Sequence, residues 1–309
     1  MGNGIRIDIH YQTRRNTHPQ HFKQMLLLHK THIFNTVVLN ICVLWLCIIK
    51  VVTGLVYVRM QSNESVYINS EEGIVQQRVM LKISGEQLGS DEYTFDLNYA
   101  TRVASVVVAL QEAGHKVACV MGGGNVVRGS KLHANGFTNQ VIADQMGMLA
   151  TVQNGLFLAE TLKQQGLSNI RLYSNIPVES VCERFSYQNA EVLLSNGGVV
   201  LIAGGLGKPG FTTDTGVVAQ AFELHCPIVI KTTKVDGVYD KDPEHHSDAV
   251  RYERIAYSDV LANEHIAVMD KAAMAFAADK AITIGICQPN PQDVLALLGG
   301  DTSRGTLVS

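Results

Sequence analysis

From residue 78 onward, short apolar runs alternate with helical patterns, and that alternation constrains the fold more than any other feature of the chain. The runs are RVMLKIS (78–84), KVACVM (116–121), IRLYS (170–174), VVLIAGG (199–205), PIVIKTT (227–233) and ITIGIC (282–287). Near-continuous Val, Ile and Leu predicts strands covered on both faces, as in a parallel sheet. Helical stretches are predicted over 97–113, 139–165, 183–194, 215–223 and 270–278, several closed by a glycine such as Gly114 or Gly166. Strands and helices in strict alternation predict an α/β fold: a three-layer α/β/α sandwich with a mainly parallel central sheet.

The chain has 309 residues, 46% hydrophobic and 6% aromatic, which suits one large catalytic core at 78–309 plus an extension at 1–77. Beyond residue 77 there are 18 Lys or Arg against 24 Asp or Glu, so no basic surplus points to a nucleic-acid polymer as partner. Six cysteines without a CxxC pair read as free thiols, not as a disulfide framework or a zinc site.

The first 77 residues differ from the rest. Residues 33–58 are apolar over a length that crosses a bilayer, interrupted by Asn35, Asn40 and Lys50. The basic, acid-poor flank before them suits an organelle presequence, and translation from Met60 or Met80 would remove the stretch altogether. Membrane anchor, presequence and misassigned start all stand at this point. Residues 61–77 are expected to be a polar linker, and the catalytic core to be cytoplasmic, or organellar or membrane-tethered if the extension directs it there.

In parallel α/β sheets, ligands sit beyond the carboxyl ends of the strands. Lys82-Ile83-Ser84-Gly85 ends the first strand, Gly122-Gly123-Gly124 the second, residues 204–213 follow another, and 233–242 the next. Glycine lets a backbone approach a ligand closely, so GGGNVVR suggests a loop against an anion with Arg128 beside it; a tight turn with a solvated arginine is the alternative. Familiar phosphate loops fail on specific residues. GGLGKPG (204–210) places Pro209 where a P-loop needs a hydroxyl, and Val127 stands at the last glycine of a dinucleotide fingerprint.

KISGEQL (82–88), MGGGNVVRG (121–129), DQMGMLATVQNGL (144–156), GKPGFTTDT (207–215) and TKVDGVYDKDP (233–243) resemble, in order and spacing, the bacterial-type uridylate kinases of the amino acid kinase superfamily. The likeness runs from about residue 78 to the closing GTLVS. It implies ATP-dependent phosphorylation of UMP to UDP, with Mg2+ carried mainly by ATP and no dedicated protein metal site. By the same resemblance Lys82, Ser84, Gly85, Gly124 and Arg128 contact ATP phosphates, and Thr233, Tyr239 and Asp242 form the nucleoside end of the ATP site. Gly123, Asp144, Gly207, Lys208, Pro209, Gly210, Phe211, Thr212 and Thr213 contact UMP. Lys82, Arg128 and Asp214 are the expected catalytic residues, Asp214 orienting Lys82; helix capping would also explain an aspartate there. Asp144 is suited to accept ribose hydroxyls, or is a first-turn helix acid.

UMP brings its own nucleophilic phosphate oxygen, so alignment and charge neutralisation by Lys82, Arg128 and Lys234 suffice without a general base. His245 and His246 read as a solvated loop. The chain departs from the resemblance at GSDEYTFD (89–96), where a glycine-rich effector segment for GTP is expected, and at Leu206, where threonine is usual. A hexamer is what the resemblance implies. A nucleotide-binding storage or regulatory protein on the same fold is the competing class.

Overall fold

The structure is a computed structural model, and it describes residues 56–59, 65–68 and 75–309 except 128–131, 133, 244, 264–265 and 267. Arg128 lies outside the described residues, as does the expected membrane segment 33–58 save its last three residues. The chain divides into two units between Gln76 and Gln77. In the first, β1 (Val56–Arg59), β2 (Ser65–Ile68) and β3 (Val75–Gln76) form an antiparallel sheet in that order. Residues 56–58 are therefore strand, and the stretch expected to be a linker contributes β2 and β3. Among the described residues no helix is long and apolar enough to cross a membrane.

The second unit is built on a nine-stranded sheet. Its central strands are β4 (Arg78–Ile83), β5 (Lys116–Met121), β8 (Val199–Ala203) and β9 (Ile228–Thr232). Outside β8 lie β6 (Ile170–Ser174) and β7 (Glu183–Arg184); outside β9 lie β13 (Thr283–Cys287), β14 (Gly305–Val308) and β12 (Arg254–Ile255). Neighbouring pairs are parallel except β13 with β14. A separate two-stranded ribbon joins β10 (Val238–Tyr239) to β11 (Arg251–Tyr252).

Alternating side chains of β4 feed two cores. Val79, Leu81 and Ile83 pack in the same apolar cluster as residues of α1 (Leu97–Glu112), α2 (Gln140–Gln164) and α7 (Pro291–Leu298). Met80 belongs to the cluster that includes α3 (Tyr187–Ser195), α4 (Thr213–Glu223), α5 (Tyr257–Ala262) and α6 (Lys271–Asp279). Period-two alternation then puts Lys82 on the Met80 face, toward α4. This two-sided covering is why the strands read as continuous apolar runs. Gly114 and Gly166 adopt left-handed φ of 83° and 92° and close α1 and α2, with His115 N–H reaching Leu110 O and Leu167 N–H reaching Leu162 O across the helix ends.

One predicted boundary is wrong. The helix expected over 183–194 starts at Tyr187, because Glu183 and Arg184 pair with Tyr173 and Ser174 and extend the sheet as β7. The competing pull is the ladder: two backbone pairs to β6 outweigh the weak helical signal of those two residues. Strand β14, helix α5 and helix α7 carried too little periodicity to be predicted.

Leu194 is fully buried in the core on the α3 face. Leu194→Ala is expected to cost roughly 2–5 kcal/mol, read as a lower denaturant midpoint, with kcat per folded molecule unchanged.

Candidate active site

Lys82 and Lys231 are direct register partners on the adjacent parallel strands β4 and β9. Their side chains emerge on the same face and meet one carboxylate. Asp214 stands 3.0 Å from the Lys82 ammonium through Oδ1 and 3.0 Å from the Lys231 ammonium through Oδ2. All three side chains are at most 15% exposed, so the charges interact in a poorly screened setting. Burial by itself raises the Asp214 carboxyl, but Lys82 and Lys231 outweigh it and hold it below the ordinary aspartate value. Burial lowers Lys231 and the neighbouring Lys82 charge adds to that; Asp214 and Asp270 only partly offset it.

Helix α4 delivers the carboxylate. Its N-cap is Thr212, whose hydroxyl accepts from Asp214 N–H at 3.0 Å, so capping does not account for Asp214. Asp214 lies in the first turn, where a negative charge is favoured by the helix dipole. Asp270, the N-cap of α6, clamps this end by accepting from the hydroxyls of Thr212 and Thr215.

Opposite this cluster, two loops touch backbone to backbone. A Cβ on Gly85 would fall 2.4 Å from Gly124 N, and one on Gly123 would fall 2.7 Å from Gly147 O, so both positions exclude any side chain. Gly122 donates to Ile83 O at 2.8 Å, and Gly123 O accepts from Val126 and Val127 N–H. Among the described residues the amides of Gly123, Gly124 and Asn125 have no acceptor, which leaves three successive donors at the end of β5.

Two clefts flank the cluster. One, of about 490 Å³, is lined by Gly123, Gly124, Asp144, Lys208, Phe211, Thr212 and Thr213. The other, of about 420 Å³, is lined by Lys231, Thr233, Tyr239 and Asp242 with apolar Val238, Val268 and Ile286. Gly123, Asp144, Lys208, Phe211, Thr212 and Thr213, expected as UMP contacts, line the first cleft together with Gly124, expected as an ATP contact, and Thr233, Tyr239 and Asp242 line the second. Lys82, Ser84 and Gly85 lie between the clefts at the end of β4. Asp144 Oδ2 accepts from Gly210 N–H at 2.7 Å, closing the 204–213 loop onto α2. Gly207, Pro209 and Gly210 belong to that loop but do not line the first cleft, and Lys234 is exposed and lines neither. Tyr239 donates to Asp236 at 2.6 Å, which also raises its hydroxyl. His245 and His246 are exposed.

Lys231 is the functional candidate that sequence reasoning missed. In PIVIKTT it reads as one polar residue in an apolar strand; the signal available was that Lys82 also interrupts an apolar strand two residues before its loop. Asp270 was likewise read only as a helix start.

Asp214→Asn would leave two buried ammonium groups without their counter-charge. It is expected to cost roughly 3–5 kcal/mol in denaturant unfolding. In the wild type the Asp214 contribution is complete above about pH 3.9 and is lost as pH falls through the depressed folded value; the variant lacks that acid dependence.

The sequence profile of the amino acid kinase family matches residues 77–288. Uridylate kinase from Xanthomonas campestris pv. campestris is 42% identical over 232 residues, 75% of this chain and 95% of that enzyme. Uridylate kinase from Serratia proteamaculans is 42% identical over 236 residues, 76% of this chain and 97% of that enzyme. Among solved structures, UMP kinase from Bacillus anthracis matches with a TM-score of 0.70 at 30% identity, covering 75% of this chain and 96% of that one. Two clefts meeting at a lysine–aspartate–lysine cluster, on a sheet shared with these enzymes, accord with that likeness: the chain belongs to the uridylate kinases of the amino acid kinase family.

Proposed function

We propose that the protein transfers the γ-phosphoryl group of MgATP to UMP, giving ADP and UDP. The observation that carries this reading is the Lys82–Asp214–Lys231 cluster between two clefts, in a chain 42% identical to uridylate kinases. UMP occupies the cleft of Asp144, Lys208, Phe211, Thr212 and Thr213, its base and ribose toward α2 and its phosphate toward Gly123. ATP occupies the cleft of Thr233, Tyr239 and Asp242, with its phosphates along Ser84, Gly85 and Gly124. The two phosphates then face each other at the glycine triplet, where only backbone intervenes.

The UMP phosphate oxygen attacks in line and ADP leaves; no proton has to be removed first. The cluster carries two positive charges and one negative, so it presents a net positive charge to the group in flight. Asp214 holds both ammonium groups in place beforehand, and preorganised charge of this kind is what lowers the barrier. Arg128, at the end of the glycine loop, adds a further cation in this reading. Magnesium enters as substrate on the ATP phosphates, since both Asp214 oxygens already face lysines. Residues 78–309 form the catalytic domain and 1–77 a separate extension; resemblance to the family supports a cytoplasmic hexamer. A storage or regulatory role draws no support from the relatives.

A coupled assay of ADP release with UMP, with CMP and without acceptor tests this reading: turnover should require UMP. Lys82→Met and Lys231→Met should each lower kcat by about 100-fold or more, with KM for UMP changed far less. As pH rises, Lys231 loses its proton below the ordinary lysine value of about 10.4, so kcat should fall along an alkaline limb beginning under that value. Stability should not fall with it, because the unfolded chain binds that proton more tightly. Absence of UMP-dependent turnover, with both nucleotides bound, would sink the assignment.

A further inference from the structure

The asparagine that follows the glycine triplet has no part in the chemistry above, yet it has the most specific surroundings in the loop. Asn125 Nδ2 donates to Asn154 Oδ1 at 3.0 Å, and Asn154 Nδ2 donates back to Asn125 Oδ1 at 2.7 Å. The remaining N–H of each amide goes to a backbone carbonyl: Asn125 to Thr94 O at 2.7 Å, Asn154 to Gly122 O at 2.6 Å. A carbonyl can only accept, so these outer contacts fix which end of each amide is nitrogen. Every amide N–H of the pair is used. Asn154 is fully buried on α2, where leaving such donors unmade would be costly.

The pair holds three segments that, among the described residues, meet nowhere else through side-chain hydrogen bonds: the glycine triplet, the 89–96 segment and α2. Gly122 is gripped from both sides, its N–H by Ile83 O and its carbonyl by Asn154. The neighbouring turn lies close against the pair, since a Cβ on Gly85 would fall 2.8 Å from Asn125 Oδ1. Helix α2 meanwhile contacts the other loop through Thr151, whose hydroxyl accepts from Gly204 N–H at 2.6 Å, and through Asp144 at Gly210.

We propose that Asn125 and Asn154 act as one positioning unit that aims the free amides of Gly123, Gly124 and Asn125 at the phosphates and sets the triplet at a fixed distance from the UMP loop through α2. Neither side chain touches a reacting atom. The inference rests on the kinase reading of this site. Its consequence is that loss of either asparagine misplaces the phosphates relative to one another, which acts on kcat more than on KM for UMP, because the UMP base and ribose contacts lie elsewhere on α2.

The test uses the full chain with Asn125→Asp, Asn125→Ala, Asn154→Asp, Asn154→Ala and the double alanine variant. Asn125→Asp keeps shape and loses the two donors at a half-buried position, so it reports even where the Asn154 variants do not fold. Expected are kcat values on the order of 10- to 100-fold below wild type, KM for UMP within about threefold, a melting temperature for Asn125→Asp and Asn125→Ala lowered but above that of the Asn154 variants, and a double variant no worse than the worse single. Wild-type kcat per folded molecule in Asn125→Asp and Asn125→Ala, or fully additive losses in the double variant, would overturn the proposal. Wild-type turnover in the same assay tests the kinase reading separately. Were it absent, titration with MgATP by calorimetry reads the same variants: weaker binding in each single variant and no further loss in the double supports the unit, and unchanged binding overturns it.

Discussion

Everything at the top of the sheet depends on two lysines sharing one carboxylate. Lys82 and Lys231 would repel each other if they stood alone at register positions on neighbouring strands, and burial works against the charge on Lys231. Asp214 makes the pair tolerable, and its own burial is tolerable only because both lysines are there. The three groups are therefore a single electrostatic unit. Its surplus positive charge is what makes the strand ends a place for phosphates.

That unit is held by hydrogen bonds at the ends of the helices around it. Thr212 caps α4, and Asp270 caps α6 while gripping the start of α4, so the carboxylate arrives from a helix terminus fixed at two points. Across the site, α2 touches the 204–213 loop at Asp144 and Thr151 and the glycine triplet at Asn154. One helix thus braces both the 204–213 loop and the glycine triplet. A rigid strut suits a reaction whose barrier is lowered by alignment rather than by proton transfer.

The sheet and its helices were legible because burial on both faces forces apolar strands, and the glycines were legible because close backbone approach admits nothing else. Several of the expected binding residues line the two clefts because ends of parallel strands converge whatever the sequence between them, whereas Gly207, Pro209 and Gly210 line neither. Where local signals were weak, expectation failed. Glu183 and Arg184 look helical in isolation, and their pairing with β6 is decided by a strand ten residues away. For Asp214, expected to orient Lys82, capping was the alternative reading, and Thr212 does that job instead.

By itself the sequence determined the class of fold, the strand ends that would carry function, and through its motifs the kinase family. It could not determine that Lys231 stands beside Lys82, or that Asn125 meets Asn154. Both depend on register and helix packing between residues 149 and 29 positions apart. Periodicity reports which face a residue occupies, whereas partnership across elements follows from how whole faces pack, and only the folded chain specifies that.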